Sequence, residues 1–166
     1  MKLENYNDYK EYSVKIYDIR MSMSVLNWDQ ETKMPKNGSK FRAQQLSTLA
    51  KIAYELSTDD TYGKLLETLN NDQSLNSDQK RNIFLSRKEF LKNKKYSSEF
   101  IVKQSNLISK AFNDWRIAKE KNDFKLFQDS LEKLVELRKE ECELIGYTNH
   151  PYDALLDRYE PNLTTK

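Results

Sequence analysis

The groups with the most chemical potential in this chain lie in short clusters. Trp28-Asp29-Gln30-Glu31 puts two carboxylates beside an indole in a polar stretch. In a cleft, such carboxylates would serve as metal ligands or as an acid/base pair. They serve structure equally well, with Asp29 or Thr32 capping backbone amides while Trp28 plugs the core beneath a turn. Two acids without a partner histidine specify little chemistry, and the capping reading is preferred. Over residues 150–157, a helix would bring His150, Asp153 and Asp157 to one face, enough for an adventitious metal. Pro151 at a first helical position, with Asp153 and Asp157 near a helix start, explains the same residues without one and is again preferred.

Residues 80–95 carry Lys80, Arg81, Arg87, Lys88, Lys92, Lys94 and Lys95 against Glu89. Arg81, Lys88, Lys92 and Lys95 could line one helical face as a phosphate-binding stripe. Such runs are more often solvated helix surface, and the flanking sequence is acidic. Glu132, Glu136, Glu140 and Glu143, with Lys133, Arg138 and Lys139, read as an exposed face of mixed sign. Cys142 falls on an apolar stripe, as inert core rather than a nucleophile. One exclusion is firm. His150 is the only histidine, so this chain can build no multi-histidine zinc site, no H-E-x-x-H motif and no four-helix di-iron site. It also contains no P-loop and no dinucleotide fingerprint.

The elements that position these residues read as helices. Gly and Pro are confined to Pro35, Gly38, Gly63, Gly146, Pro151 and Pro161, and four Val against twenty Leu disfavour sheet. A first helix is expected from about Glu4 to Leu26, with Tyr9, Tyr12, Ile16, Ile19, Met23 and Leu26 on a narrow seam. It gives way over Asn27–Pro35. Ser39 caps a second helix to about Leu56, with Leu46, Leu49, Ala53 and Leu56 inward. Thr58 or Asp59 opens a short helix carrying Leu65, Leu66 and Leu69. Asn76 and Gln79 resemble a capping box for a helix reaching about Lys94. Ser97 caps the next, whose stripe is Phe100, Ile101, Leu107, Ile108, Ala111, Trp115 and Ala118. Asn122 or Asp123 starts another, with Phe124, Phe127, Leu131, Leu134, Val135, Cys142 and Ile145 on one side and Gly146 as a left-handed C-cap. The fold class is all-α, a bundle of about six long helices.

Composition sets the limits. At 166 residues, a single helical region spanning 1–166 is expected. The net charge of +2, balanced in both halves, means that non-specific nucleic-acid binding is not the default. No run reaches the ~18 apolar residues of a membrane span, and the opening residues are not a signal peptide. A single cysteine excludes an internal disulfide and suits a reducing cytoplasm. With 37% hydrophobic residues the core is thin for the length. An exposed apolar face, covered by self-association, is therefore expected on helices 97–121 or 123–145. Pro161-Asn162-Leu163-Thr164-Thr165 reads as a loop entering a helix N-cap with no helix behind it, the expectation for a truncated polypeptide.

Leu26-Asn27-Trp28-Asp29-Gln30-Glu31-Thr32-Lys33-Met34-Pro35, followed by Arg42-Ala43-Gln44-Gln45-Leu46-Ser47-Thr48-Leu49-Ala50, resembles the N-terminal signature of the carboxypeptidase Taq family. These are thermostable metallocarboxypeptidases. Trp115-Arg116-Ile117-Ala118-Lys119, Asp123-Phe124, Phe127 and Leu131-Glu132-Lys133-Leu134-Val135-Glu136-Leu137 agree with the same pattern. Tyr152-Asp153-Ala154-Leu155-Leu156-Asp157-Arg158-Tyr159-Glu160-Pro161 is especially close. The similarity spans nearly the whole chain in order, with one departure at Asn162, where the family commonly has Gly.

The resemblance implies a largely helical, mostly dimeric enzyme that releases residues from peptide C-termini with a divalent metal, usually zinc. It implies metal ligands on an H-E-x-x-H helix and substrate-carboxylate motifs farther downstream, none of which matches a position here. The chain then corresponds to the N-terminal scaffold and substrate-groove part of such an enzyme, with no catalytic residue, metal ligand or cofactor of its own. Peptide is the substrate of the full-length protein, and neither nucleic acid nor membrane is expected as a partner. Trp28, Asp29, Gln30, Glu31, Thr32, Tyr152, Asp153, Asp157 and Glu160 are signature residues read as structural. Such a chain is expected to be inactive alone. A free-standing helical protein-interaction module is the alternative, and a nucleic-acid binder using residues 80–95 a third reading.

Overall fold

The computed structural model describes residues 5–157, 159–160 and 163–166, with Lys36 described by its backbone alone. Glu4, Arg158, Pro161 and Asn162 lie outside the described residues, and with them the expected first-helix start and the turn at Asn162. Among the described residues there is no strand. Six helices of eleven residues or more and one short one follow in order: α1 (Tyr6–Thr32), α2 (Ser39–Ser57), α3 (Asp60–Asn70), α4 (Ser77–Asn93), α5 (Ser98–Lys121), α6 (Lys125–Ile145) and α7 (Pro151–Leu156). A 3-10 turn, Lys36–Gly38, leads into α2. The helices form two compact units, Met1–Val102 and Lys103–Lys166, with α5 running from one into the other.

In the first unit α1 lies against α2 and α3, and α3 against α4. Its core is Tyr9 and Ile16 of α1, Tyr62, Leu65, Leu66 and Leu69 of α3, then Leu75 and Ile83. Burying each large apolar side chain contributes about 1.5–3 kcal/mol, so the leucines of α3 anchor the unit. Ionic and polar caps fix the helix ends. Asn5 and Asp8 form a capping box at α1, Asn76 and Gln79 form the expected one at α4, and Asp59 accepts from Thr61 and Tyr62 at α3. Ser97 Oγ accepts from the Phe100 amide at 3.1 Å, as expected for the start of α5.

Several local expectations are corrected. The first helix does not give way at Asn27 but runs to Thr32. Nothing between Asn27 and Thr32 breaks a helix, and Pro35 excludes the helical conformation only from the residues just before it. Trp28 is therefore helical, and it is 61% exposed rather than plugging the core. Ser39 is the first residue of α2, not its cap, because the chain enters directly from the 3-10 turn and Gly38 takes the cap position. At α6 the helix opens after Phe124, with Asp123 Oδ1 accepting from the Lys125 amide at 3.0 Å. Gly146 has the positive φ expected of it (79°) but an extended ψ, so it is not an αL cap.

The apolar stripes of α5 and α6 are only partly inward. Ala111 and Ala118 are buried, while Ile108 and Trp115 are exposed. In α6 the buried face carries Ser130, Leu137, Glu141 and Cys142, and Phe124, Leu131 and Val135 are exposed. Exposed apolar residues therefore do occur on these helices. They also occur on α1, where Val14, Tyr17, Met21, Val25 and Trp28, spaced three and four apart, are all more than two-fifths exposed. This outer stripe lies opposite the inward seam of Tyr9, Tyr12, Ile16, Ile19, Met23 and Leu26, so α1 is apolar on two sides.

Candidate functional site

The signature residues of the first unit form a corner where α1 hands over to α2. Asp29 lies one turn from the C-terminus of α1, where the aligned peptide dipoles leave partial negative charge and a carboxylate is unfavourable. Arg42 of α2 offsets this. Its Nη2 donates to Asp29 Oδ2 at 2.6 Å, its Nη1 donates to the Leu26 carbonyl, and its Nε donates to Gln45 Oε1 at 3.2 Å. The Arg42 side chain is only 13% exposed, so the fork is held rather than waving in solvent. The Asp29 carbonyl also accepts from the amides of Lys33 and Met34, at 2.9 and 2.8 Å, and Thr32 Oγ1 donates to the Trp28 carbonyl at 2.7 Å. Asp29 and Glu31 are two residues apart in a helix, and such residues do not face each other. The structure therefore does not bring them together as an acid/base pair. Gln30 is half-buried and Glu31 exposed.

The second cluster sits at α7. His150 is its N-cap, and its Nδ1 accepts from the Tyr152 amide at 3.1 Å, committing that nitrogen to the backbone. Pro151 occupies the first helical position, as expected. Asp153 Oδ1 accepts from the Thr165 amide at 2.8 Å, and that backbone bond holds its carboxyl below the usual range. Asp157 terminates α7 with its amide on the Asp153 carbonyl, and Tyr152 and Glu160 are exposed. Between α6 and α7 lies an open groove of about 690 Å³, walled by Leu131, Val135, Cys142, Tyr152 and Leu155. Cys142 is buried, and burial pushes its thiol up with Glu141 and Glu143 adding to the effect, the opposite of what a nucleophile requires.

No group of three His, Cys, Asp or Glu among the described residues could hold a metal ion. These residues therefore do not fit a catalytic zinc. The basic run of residues 80–95 is laced with carboxylates. Arg87 pairs with Glu67 and Lys94 with Asp60, while Glu89 from within it pairs with Arg20.

Two polar features escaped the reading of the sequence. Glu141 is completely buried, and Arg138 Nη1 donates to it one turn away. Ser130, 1% exposed, donates to Asp114 Oδ2, which also takes Lys110 Nζ. Burial raises the Asp114 carboxyl, but the bonds from Lys110 and Ser130 and the charge of Lys133 outweigh it, and its pKa falls below the ordinary value. The i,i+3 and i,i+4 spacings of these pairs were visible in the sequence. Their burial was not.

The described residues thus form an all-helical frame in which Asp29 is held by Arg42, Thr32 donates to the Trp28 carbonyl and Asp153 accepts from the Thr165 amide. Residues 8–166 match the family described as Carboxypeptidase Taq (M32) metallopeptidase, and the chain belongs to it. It is 34% identical over 152 residues to thermostable carboxypeptidase 1 of Pyrococcus furiosus, covering 92% of this chain and 30% of that protein. Against carboxypeptidase 1 of Bacillus subtilis the identity is 34% over 146 residues, covering 87% of this chain and 29% of the relative. The crystal structure of BsuCP superposes with a TM-score of 0.92 at 34% identity, over 96% of this chain and 32% of that one. The chain thus spans about 30% of the length of the curated relatives it matches. No helix among the described residues is long and apolar enough to cross a membrane.

Proposed function

We propose that residues 1–166 act as one region, the helical scaffold and part of the substrate groove of a metallocarboxypeptidase that removes C-terminal residues from peptides, and that this stretch alone is inactive. The observation that carries the proposal is the family match over residues 8–166 in a chain with one histidine and no H-E-x-x-H segment. Metal-assisted peptide hydrolysis needs a water activated by a metal on about three protein ligands, with an acid/base residue beside it. The contribution of this region is rigidity. The Arg42–Asp29 corner locks α1 to α2, and the caps at Asn5, Asp59, Asn76 and His150 fix where α1, α3, α4 and α7 start. In this reading Trp28, Asp29, Gln30, Glu31, Thr32, Tyr152, Asp153, Asp157 and Glu160 are structural residues. The complete enzyme is a cytoplasmic zinc peptidase working as a dimer; a lone buried cysteine supports the reducing compartment.

The test is to incubate the purified 166-residue chain with zinc or cobalt and an unblocked peptide, following free amino acids by mass spectrometry. No metal-dependent release is expected, and release above background would overturn the inactivity. The second reading, a helical interaction module, is favoured by the open apolar groove between α6 and α7. Reading the coding sequence past Lys166 separates the two: continuation into an H-E-x-x-H segment supports the enzyme, and an immediate stop supports the module.

A further inference from the structure

The first unit contains a polar slot that its packing does not explain. α1 and α4 both lean on α3, but a cavity of about 230 Å³ separates them. One side is tied by Tyr9 Oη and Ser86 Oγ at 2.8 Å. Also on its lining are Arg20 and Glu89, joined at 2.7 Å, with side chains 42% and 52% exposed. Inside, Ser13 Oγ and Tyr62 Oη are 3.4 Å apart, and Asn93 Nδ2 reaches Ser57 Oγ also at 3.4 Å. These are long for their types, since O–H···O bonds prefer about 2.7–2.8 Å and N–H···O bonds about 2.9–3.0 Å. Ser57 Oγ also donates to the Tyr54 carbonyl at 3.0 Å and Tyr62 also bonds Ser86, so a guest would draw chiefly on Ser13 and Asn93. The rest of the lining is apolar: Ile16, the Tyr17 ring and the Phe90 ring.

We infer that this slot binds a free α-amino acid with a small apolar side chain, its carboxylate on Arg20 and its ammonium on Glu89. Charge selects the ligand class. A simple anion would claim Arg20 and leave Glu89 facing like charge; a simple cation would strand Arg20. A zwitterion replaces one ion pair with two and leaves no charge unmatched. The exchange is cheap to open, because an exposed ion pair contributes only about 0–1 kcal/mol. Size selects within the class. The cavity is small, about 230 Å³, and its apolar wall of Ile16, the Tyr17 ring and the Phe90 ring suits a short apolar side chain. The side chain lies against Ile16 and Phe90, and Ser13, Tyr62 and Asn93 supply hydrogen bonds to the carboxylate and ammonium. Burial raises the Tyr62 phenol above its ordinary value despite the opposing bonds from Ser13 and Ser86, so it stays a neutral donor.

The inference does not rest on the peptidase reading, because neither metal nor peptide enters its test. The 166-residue chain, labelled with nitrogen-15, is titrated with L-valine, isovalerate and isobutylamine, and amide shifts are followed. Saturable shifts in α1 and α4 are expected with L-valine, with the two single-charge analogues weaker by about tenfold or more. Arg20→Met and Glu89→Gln should each weaken valine by about tenfold or more while leaving the circular dichroism spectrum and thermal midpoint unchanged, both side chains being exposed. Absence of saturable shifts, an analogue binding as tightly as valine, or indifference to Arg20→Met in a folded variant would each overturn the assignment.

Discussion

Gly63 sits in α3 where that helix packs on α4, and its replacement by alanine sets two effects of known size against each other. Glycine inside a helix costs about 1 kcal/mol relative to alanine, so on propensity alone Gly63→Ala should stabilise. A Cβ at this position, however, would stand 2.4 Å from Phe90 Cζ, 2.9 Å from Cε1 and 3.1 Å from Cε2. Carbon atoms at ease lie about 3.5–4.0 Å apart, so the ring must withdraw by roughly 1 Å. Its withdrawal is resisted by two contacts: it meets Tyr62 edge-on with centroids 6.2 Å apart, and Lys94 Nζ lies 5.8 Å above its face. Overpacking of this kind costs about 1–3 kcal/mol, which exceeds the propensity gain and leaves a net loss of about 1 kcal/mol. The assay is urea unfolding of the 166-residue chain by far-UV circular dichroism, with the slope m checked for constancy. In a Phe90→Leu background the colliding ring atoms are gone, and the same substitution should stabilise by about 0.5–1 kcal/mol. Gly63→Ala raising stability in the native background, or costing the same in both, would refute the reasoning.

Three further outcomes follow from the charged and phenolic groups. Arg42→Met should cost about 1.5–3 kcal/mol in urea unfolding, because Asp29 loses a charge-assisted partner at an unfavourable helix end; a loss under about 0.5 kcal/mol would make the corner ornamental. The Tyr12 phenol, stacked on Tyr62 at 4.7 Å, is pushed up from 10.0 to about 12, mainly by burial with help from Asp59. A raised pKa contributes stability that is fully present below pH 10.0 and lost as the pH climbs toward about 12, so alkaline unfolding should fall in that window, with Tyr12 absorbing as phenolate only as structure is lost. Asp114 has the opposite sign. Its lowered pKa contributes stability present above 3.8 and lost as the pH drops below it, so the thermal midpoint of Asp114→Asn should vary less with pH than that of the native chain in that acid range.

What could be read from residues alone followed local physics. The capping box at Asn76 and Gln79, the Asp59 start and the leucines of α3 depend on neighbours three or four positions away, and they were legible for that reason. The failures needed distant partners. Nothing in the sequence near Asp29 says that Arg42, thirteen residues on, will fold back onto it. The expected loop at Asn27–Pro35 gave a proline three residues beyond the true helix end more reach than it has. Ser130 and Glu141 were not singled out because their burial depends on how the helices of the second unit pack, not on any periodicity of their own. The slot between α1 and α4 was invisible for the same reason, since Arg20 and Glu89 are sixty-nine positions apart and pair only once the helices have packed.

The doubly apolar character of α1 bears on how this polypeptide can be handled at the bench. Its outer stripe from Val14 to Trp28 is largely exposed, so charged replacements at Val14, Val25 or Trp28 should leave the unfolding free energy within about 0.5 kcal/mol of native while raising the concentration at which the chain stays dispersed. The inward seam on the other side tolerates no such editing. One helix thus offers a dial for solubility and a fixed keel for folding, separated by half a turn.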